Sequence, residues 1–307
     1  MKIENTLKGY KTVILGYSGG VDSQVLLNLL KKMKNINIVA MHINHNINEK
    51  SGDWEDFCKN QGKSPNVTVK SKSINLTDSG NLENEARKER YSFFKEEYDK
   101  YESGEVALVT GHHLNDQAET VIFKLMRGSG LDGLSGIKES SSMYGMTVVR
   151  PLLGYKKSQI LDYAKDENLN WVEDPSNKSL EYDRNFIRNE VIPLLETRWD
   201  KAVNAIGKSA KIIAESNAFE KEVIKKMYNV TTEGWLDARE INKLDPLVQK
   251  KVIRDWIKEE TEMSPDGNLV ESVVNQCVGN KQHNSGKVMK KFFRIEKNNH
   301  MIKILNT

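Results

Sequence analysis

Residues 13–30 read VILGYSGGVDSQVLLNLL. The apolar run at the start ends in Tyr17-Ser18-Gly19-Gly20-Val21-Asp22-Ser23. Apolar residues then recur at 25, 26, 29, 30 and 33, the spacing of a helix face. A strand feeding a helix through a glycine turn is where an open α/β sheet binds ligands. Gly19 and Gly20 allow close backbone approach and positive φ. The N–H groups and dipole of the helix start favour an anion, and Ser18 and Ser23 add hydroxyls. The lysine of the usual ATP loop is absent. Asp22 repels phosphate unless a cation intervenes, and Mg²⁺ is the expected one, since it takes one or two carboxylates plus substrate oxygens. A bare Gly-Gly turn would be read as a capped turn; the full Ser-Gly-Gly-x-Asp-Ser string after a strand favours a phosphate site.

Outward from this loop, short apolar runs alternate with helical patterns. Strands are expected at KTVILGY, INIVAMHIN, NVTVKS and EVALVTG, and helices at SQVLLNLLKKM, GDWEDFCKNQG, NLENEARKERYSFFKEEYDKY and LNDQAETVIFKLMRG. This order predicts an α/β fold, a parallel sheet with helices on both faces. The glycine- and serine-rich GSGLDGLSGIKESSSMYGM is expected to be a loop, and RNFIRNEVIPLLE a helix up to its proline. A long amphipathic helix over 199–228 reads as a connector. The remainder reads as a small α+β domain of two or three helices and a hairpin turning at Lys297-Asn298-Asn299.

The 307 residues allow one large and one small domain, with 29% charged and 38% hydrophobic residues, as in ordinary soluble proteins. Net charge is only +3, but residues 201–307 hold 19 Lys+Arg against 14 Asp+Glu. A basic C-terminal end fits either a polyanion contact or a solvated lysine-rich surface. Cys58 and Cys277 form no Cys-x-x-Cys pair, which leaves disulfide scaffolds, zinc and iron–sulfur sites unsupported and fits a reducing compartment. No stretch approaches the ~18 apolar residues of a membrane span, so a cytoplasmic protein without membrane partners is expected. The sequence is silent on oligomeric state.

TGHHLNDQAET (110–120) places His112 and His113 after a strand and Asp116 and Glu119 three residues apart on one helix face. Two such carboxylates can hold a metal or an ammonium group; acids at a helix start also stabilise the dipole. Neutral histidines such as His112 can contact a nucleotide.

The Ser-Gly-Gly-x-Asp-Ser string matches the pyrophosphate loop of the N-type ATP pyrophosphatases, which cleave ATP between the α and β phosphates. With TGHHLNDQAET, RGSGLDGLSGI, RPLL, WVEDPSN and DRNFIRNEVIPLL in that order, and AMHINHN and NLENEARKERYSFF upstream, the run from Ser18 to about Trp199 resembles the tRNA(Ile)-lysidine synthetase family. The resemblance implies ATP-dependent adenylation of the wobble cytidine of tRNA(Ile) with anticodon CAU. Free lysine then displaces AMP, giving lysidine. By matching position it implies loop roles for Ser18, Gly19, Gly20, Val21, Asp22 and Ser23, with Mg²⁺ at Asp22. It implies lysine or metal roles for Asp116 and Glu119, a reacting-centre role for Arg184, and a nucleotide contact for His112; Arg127 would shape the mouth of the site. It implies a catalytic domain over 1–198, a connecting helix over 199–228 and a tRNA-contacting domain over 229–307. Asn115 stands where the family usually has a first acid, and many members carry a further C-terminal domain. The rival readings are a tRNA thiolase, which needs a sulfur-handling cysteine or cluster, and a non-catalytic nucleotide sensor, which needs none of the acids or Arg184.

Overall fold

In the computed structural model, residues 1–44, 51–74, 82–227, 231–232, 234–261, 263–279 and 285–306 are described. His45 and Asn46 of AMHINHN, Asn81, Tyr228 at the end of the expected connector, and residues 281–284 of the basic end lie outside them. The chain divides into two compact units, Met1–Ile212 and Ile213–Thr307.

The first unit is built on strands β1 (Thr12–Gly16), β2 (Asn37–Asn44), β3 (Val67–Ser73), β4 (Val106–Val109), β5 (Ser140–Met143) and β6 (Met146–Val149). Their spatial order is β3-β2-β1-β4-β6-β5, all parallel except β5, which pairs antiparallel with β6. Side chains alternate between faces along each strand. Val13, Leu15, Ile38, Ala40, Ala107 and Val109 pack with α1 (Val21–Lys31), Cys58 of α2 (Ser51–Gln61) and, through Ile160 and Ala164, with α6 (Lys157–Asp166). Ile14, Val39, Met41 and Leu108 face the other way, onto Tyr91, Phe94 and Tyr98 of α3 (Leu82–Tyr98). Both faces are thus covered by apolar side chains, which is what a parallel sheet requires. The chain runs outward from β1 through β2 to β3, then returns to β1's other side as β4. The loops after β1 and β4 therefore splay apart at a topological switch point.

Three local expectations change. The serine-rich stretch is not all loop: it holds the short helix α5 (Leu131–Leu134) and the edge strand β5. Met143 pairs with Met146 around a two-residue turn with φ 52° at Tyr144 and 71° at Gly145. Positive φ at both central residues is the turn that matches strand twist, and Tyr144 is held in it against the Tyr91 ring at 5.2 Å. The helical segment does not stop at Pro193. It runs as α7 (Asp183–Phe186), a π turn over Ile187–Val191, and α8 (Ile192–Arg198). Proline removes an N–H and crowds the carbonyl four residues back; the widened turn accommodates both. Buried Ile187, Ile192 and Val203 pack this segment against Ala118 of α4 (Leu114–Met126).

The long helix α9 (Ala202–Met227) contains the division between the units. The second unit holds β7 (Thr231–Thr232), β8 (Trp235–Asp237), α10 (Ala238–Ile241), α11 (Pro246–Thr261), α12 (Gly267–Val273) with a following π turn, and β9 (Ser285–Met289), β10 (Phe293–Asn298) and β11 (Met301–Asn306). The sheet order is β7-β8-β11-β10-β9, and Leu236, Ile253, Trp256, Ile257, Val273, Ile295 and Ile302 make its core. The expected hairpin is present but turns at Asn299-His300, because Asn298 pairs with Met301. Asn299 takes the positive φ, 55°.

Candidate active site

The site lies in the crevice between the loops after β1 and β4. Gly19 has φ +82°, and a Cβ there would come within 2.9 Å of both Cys58 Sγ and Val172 Cγ2. Glycine is required on both counts. The Gly19 N–H donates to Ser23 Oγ (3.1 Å), the Gly20 N–H to Ser18 Oγ (3.3 Å), and Ser23 Oγ donates to the Gly20 carbonyl (2.9 Å). These bonds fix the loop ahead of α1, whose N-cap Gly20 supplies no side-chain cap. Its first N–H groups have no intrahelical acceptor and sit at the positive end of the dipole, a ready anion site. Gly19→Ala is expected to destabilise the first unit by about 2–4 kcal/mol from strain and overpacking; an unchanged melting temperature would contradict this.

Asp22 sits in the first turn of α1, and Lys157 Nζ lies 2.7 and 2.8 Å from its two carboxylate oxygens. Gly111 passes so close that a Cβ would meet Asp22 Cβ at 3.2 Å. His113 Nε2 is 3.6 Å from Asp22 Oδ1. His113 is the N-cap of α4: its Nδ1 accepts from the Asp116 N–H (3.3 Å), while its own N–H donates to Asp116 Oδ2 (2.9 Å). Burial pushes the His113 pKa down, which keeps the ring neutral. With Nδ1 accepting, Nε2 carries the proton and faces Asp22. His112 bonds Thr110 Oγ1 through Nδ1 (2.8 Å), and burial lowers its pKa to about 4.

Asp116 and Glu119 meet on one face, as their spacing implies. The group between them is Arg188. Its Nε and Nη2 donate to the two Glu119 oxygens at 2.8 Å each, and Nη2 reaches Asp116 Oδ1 at 3.3 Å. The Glu119 side chain is only 4% exposed, against 18% for Asp116 and 40% for Arg188. Burial pushes the Glu119 carboxyl above its usual range and Arg188 pulls it back; the Glu119 hydrogen bonds in turn raise the Arg188 pKa. The two-point geometry keeps the pair ionic. Asp116 thus both caps α4 and binds Arg188.

Arg184 lies outside this cluster, exposed, with its guanidinium 5.7 Å from the Phe123 ring centroid; Arg127 stacks on the same ring at 4.1 Å. Its charge is still felt at His112 and Glu119. Neither Arg188 nor Lys157 is among the site residues expected from the sequence. Arg188 had no periodic signal, because the π turn that carries it toward α4 has no simple period. Lys157 had none, because only the fold brings α6 to α1. Among the described residues, no three His, Cys, Asp or Glu side chains form a metal-binding group, and no helix is long and apolar enough to cross a membrane. Cys58 and Cys277 are both buried free thiols, raised by burial to about 12 and about 11.

A glycine-rich loop after β1, an acid on the next helix turn and a second acid-bearing motif after β4 define a nucleotide-phosphate site at a switch point. A family model described as the PP-loop domain matches residues 1–195, and the chain belongs to that family. Its relatives include the tRNA(Ile)-lysidine synthases of Francisella tularensis subsp. tularensis, 37% identical over 254 residues (82% of this chain, 63% of that protein), and of Wigglesworthia glossinidia brevipalpis, 37% identical over 261 residues (80% and 64%). That of Buchnera aphidicola subsp. Schizaphis graminum is 34% identical over 297 residues (94% and 65%). The chain thus spans just under two thirds of the length of these relatives. Among solved structures, the U34-tRNA thiolase NcsA from Methanococcus maripaludis with its [4Fe-4S] cluster shares the fold, with a TM-score of 0.54 at 22% identity over 69% of this chain and 74% of that one.

Proposed function

We propose that this chain ligates free lysine to the wobble cytidine of tRNA(Ile) with anticodon CAU, using ATP in the cytoplasm. One observation carries the reading: beside the loop acid Asp22 stands a second cluster, Asp116 and Glu119 against the single cation Arg188. With His113 neutral, that cluster holds a net charge of −1, suited to a lysine ε-ammonium. A plain nucleotide sensor has no use for it. The shared name of the relatives supports the same reaction.

The chemistry divides between the two motifs. The N–H groups of Val21, Asp22 and Ser23 at the start of α1, with the Ser18 hydroxyl and the loop that Gly19, Gly20 and Ser23 shape, hold the pyrophosphate that leaves as the cytidine 2-oxygen attacks the α-phosphorus. The ε-amine of lysine then attacks C2, and the oxygen departs with AMP. Asp116, the more accessible acid, receives the ammonium and takes its proton before attack. Glu119 fixes Arg188, whose charge faces the AMP being formed. Exposed Arg184 and Arg127, stacked on Phe123, meet the incoming tRNA. Neutral His112 contacts the nucleotide. Asp22, about 30% exposed and set among the loop's N–H donors, suits magnesium, which takes few carboxylates and completes its shell with phosphate oxygens and water. When bound, that ion offsets charge on the leaving group.

The thiolase alternative is disfavoured by the thiols. Both cysteines are buried with raised pKa values, and they lie in different units. Transfer of labelled lysine into tRNA, dependent on ATP, tests the reading; sulfur transfer in its place would select the thiolase.

The second unit is proposed to hold the tRNA backbone through Lys287, Lys290, Lys291, Arg294, Lys297 and Lys303, all within 17 residues. Some of that charge is offset within the unit: Glu296 takes Lys287 (3.5 Å) and Arg294 (2.9 Å), and Asp266 takes Lys290 (3.5 Å). Lys291 lies beside the exposed ring of Phe292, at 5.4 Å. Changing Lys290, Lys291 and Arg294 to Ala is expected to weaken tRNA binding and flatten its salt dependence, by about 0.9 in log–log slope per lost phosphate contact. An unchanged slope would return this stretch to a solvated surface.

A further inference from the structure

The Ser18–Ser23 loop lacks a lysine of its own, yet an ammonium stands at its mouth. Lys157 is the first residue of α6 and lies 135 positions beyond Asp22, on which its Nζ rests at 2.7 and 2.8 Å. Its backbone is fastened to α4. The Leu114 N–H donates to the Tyr155 carbonyl (2.9 Å), and the Lys157 N–H donates to Asn115 Oδ1 (3.0 Å). It is fastened to α1 as well, where the Tyr163 hydroxyl donates to Asn28 Oδ1 (2.9 Å). Three elements thus converge to hold one lysine beside the anion-binding N–H groups. Its side chain remains 34% exposed.

We propose that Lys157 is the phosphate-binding cation of this site, supplied by α6 in place of the lysine that the loop lacks, and that Asn115 is the residue that positions it. Lysine binds phosphate as a point charge. Before nucleotide arrives, Asp22 holds the ammonium in place. Polyphosphate oxygens at the loop then compete for it, which frees the Asp22 carboxylate. Without Lys157, the uncompensated Asp22 carboxylate would repel polyphosphate from its own cradle. Asn115 accepts the first N–H of α6 without adding a further negative charge at the loop, which gives a purpose to an amide where an acid was expected. This inference rests on the ATP-site part of the proposed function alone and needs neither tRNA nor lysine.

The test is calorimetric titration of the intact chain with inorganic pyrophosphate, with and without magnesium, and with adenosine as the control. Lys157→Met is expected to weaken pyrophosphate binding about 10- to 100-fold and to leave adenosine binding within about threefold, while Lys157→Arg keeps most of the affinity. Asn115→Ala is expected to weaken pyrophosphate selectively and to add little once Lys157 is already Met, as two residues acting through one contact must. The deciding comparison is in the Asp22→Asn background. There a phosphate ligand still loses at least about tenfold on Lys157→Met, whereas a mere counter-ion of Asp22 loses nothing, and that null result would overturn the proposal. Failure of the unsubstituted chain to bind pyrophosphate or ATP would overturn the ATP-site reading and this inference together. Lysine transfer failing while pyrophosphate binding follows the expected pattern would reject only the tRNA reaction.

Discussion

Asp22→Asn is expected to cut pyrophosphate release by roughly 10³-fold or more, because it removes the one carboxylate set among the loop's phosphate donors. The fold should survive. Asp22 and Lys157 are each about one third exposed, and such pairs contribute at most about 1 kcal/mol. The variant should therefore melt within a few degrees of the parent. Metal-free pyrophosphate binding should persist, since a negative charge has left the loop and Lys157 remains. Normal AMP formation by this variant would remove Asp22 from the chemistry.

The second large effect is at the Glu119–Arg188 pair, where two substitutions separate structure from chemistry. Arg188→Ala leaves a carboxylate that is 4% exposed without its two-point partner. Stranding a buried charge costs about 3 kcal/mol, or roughly 6–12 °C in the melting of that unit. The sign of its pH dependence follows from the direction of the shift. Burial already raises the Glu119 pKa and Arg188 opposes that rise, so the variant's folded-state pKa lies higher still. A raised carboxyl pKa means that stability is lost as pH rises through the folded value. The deficit should shrink on acidification and widen toward neutrality; a pH-independent deficit would contradict the account. Glu119→Gln strands no charge, and Arg188, 40% exposed, can turn to water. Its effect should be chemical. The cluster's net charge goes from −1 to zero, and lysine should be needed at about 10- to 100-fold higher concentration. A first turnover should still release pyrophosphate and leave adenylated tRNA. If Glu119→Gln blocks pyrophosphate release as fully as Asp22→Asn, Glu119 belongs to the ATP site.

Legibility in the sequence followed the range of the interactions. The first unit's strands and helices could be read because each has its own apolar period, and alternation along β1 and β4 fixes which residues face α3 and which face α1. The loop could be read because its glycine and hydroxyl requirements are met within six residues. Asp116 and Glu119 could be placed together by helical spacing alone. The β5–β6 hairpin was hidden because Ser140–Ser142 has no apolar signal and its turn uses Tyr144 at positive φ. The passage through Pro193 was hidden because a π turn has no simple period. Lys157 and Arg188 join the site across 135 and 69 residues of chain, distances over which only tertiary packing decides. Arg184 and Arg188 are four residues apart on one segment, and the side chain that reaches Glu119 is settled by the widened turn that begins at Ile187 and carries Arg188.

The central claim is tested most directly by incubating the purified chain with tRNA(Ile) bearing a CAU anticodon, ATP and free lysine, then measuring the mass of the digested wobble nucleoside. The account predicts that cytidine gains one lysine joined through nitrogen in place of its 2-oxygen, with one AMP and one pyrophosphate released per modified tRNA. An unmodified or sulfur-containing nucleoside, with ATP and tRNA bound normally, would contradict it.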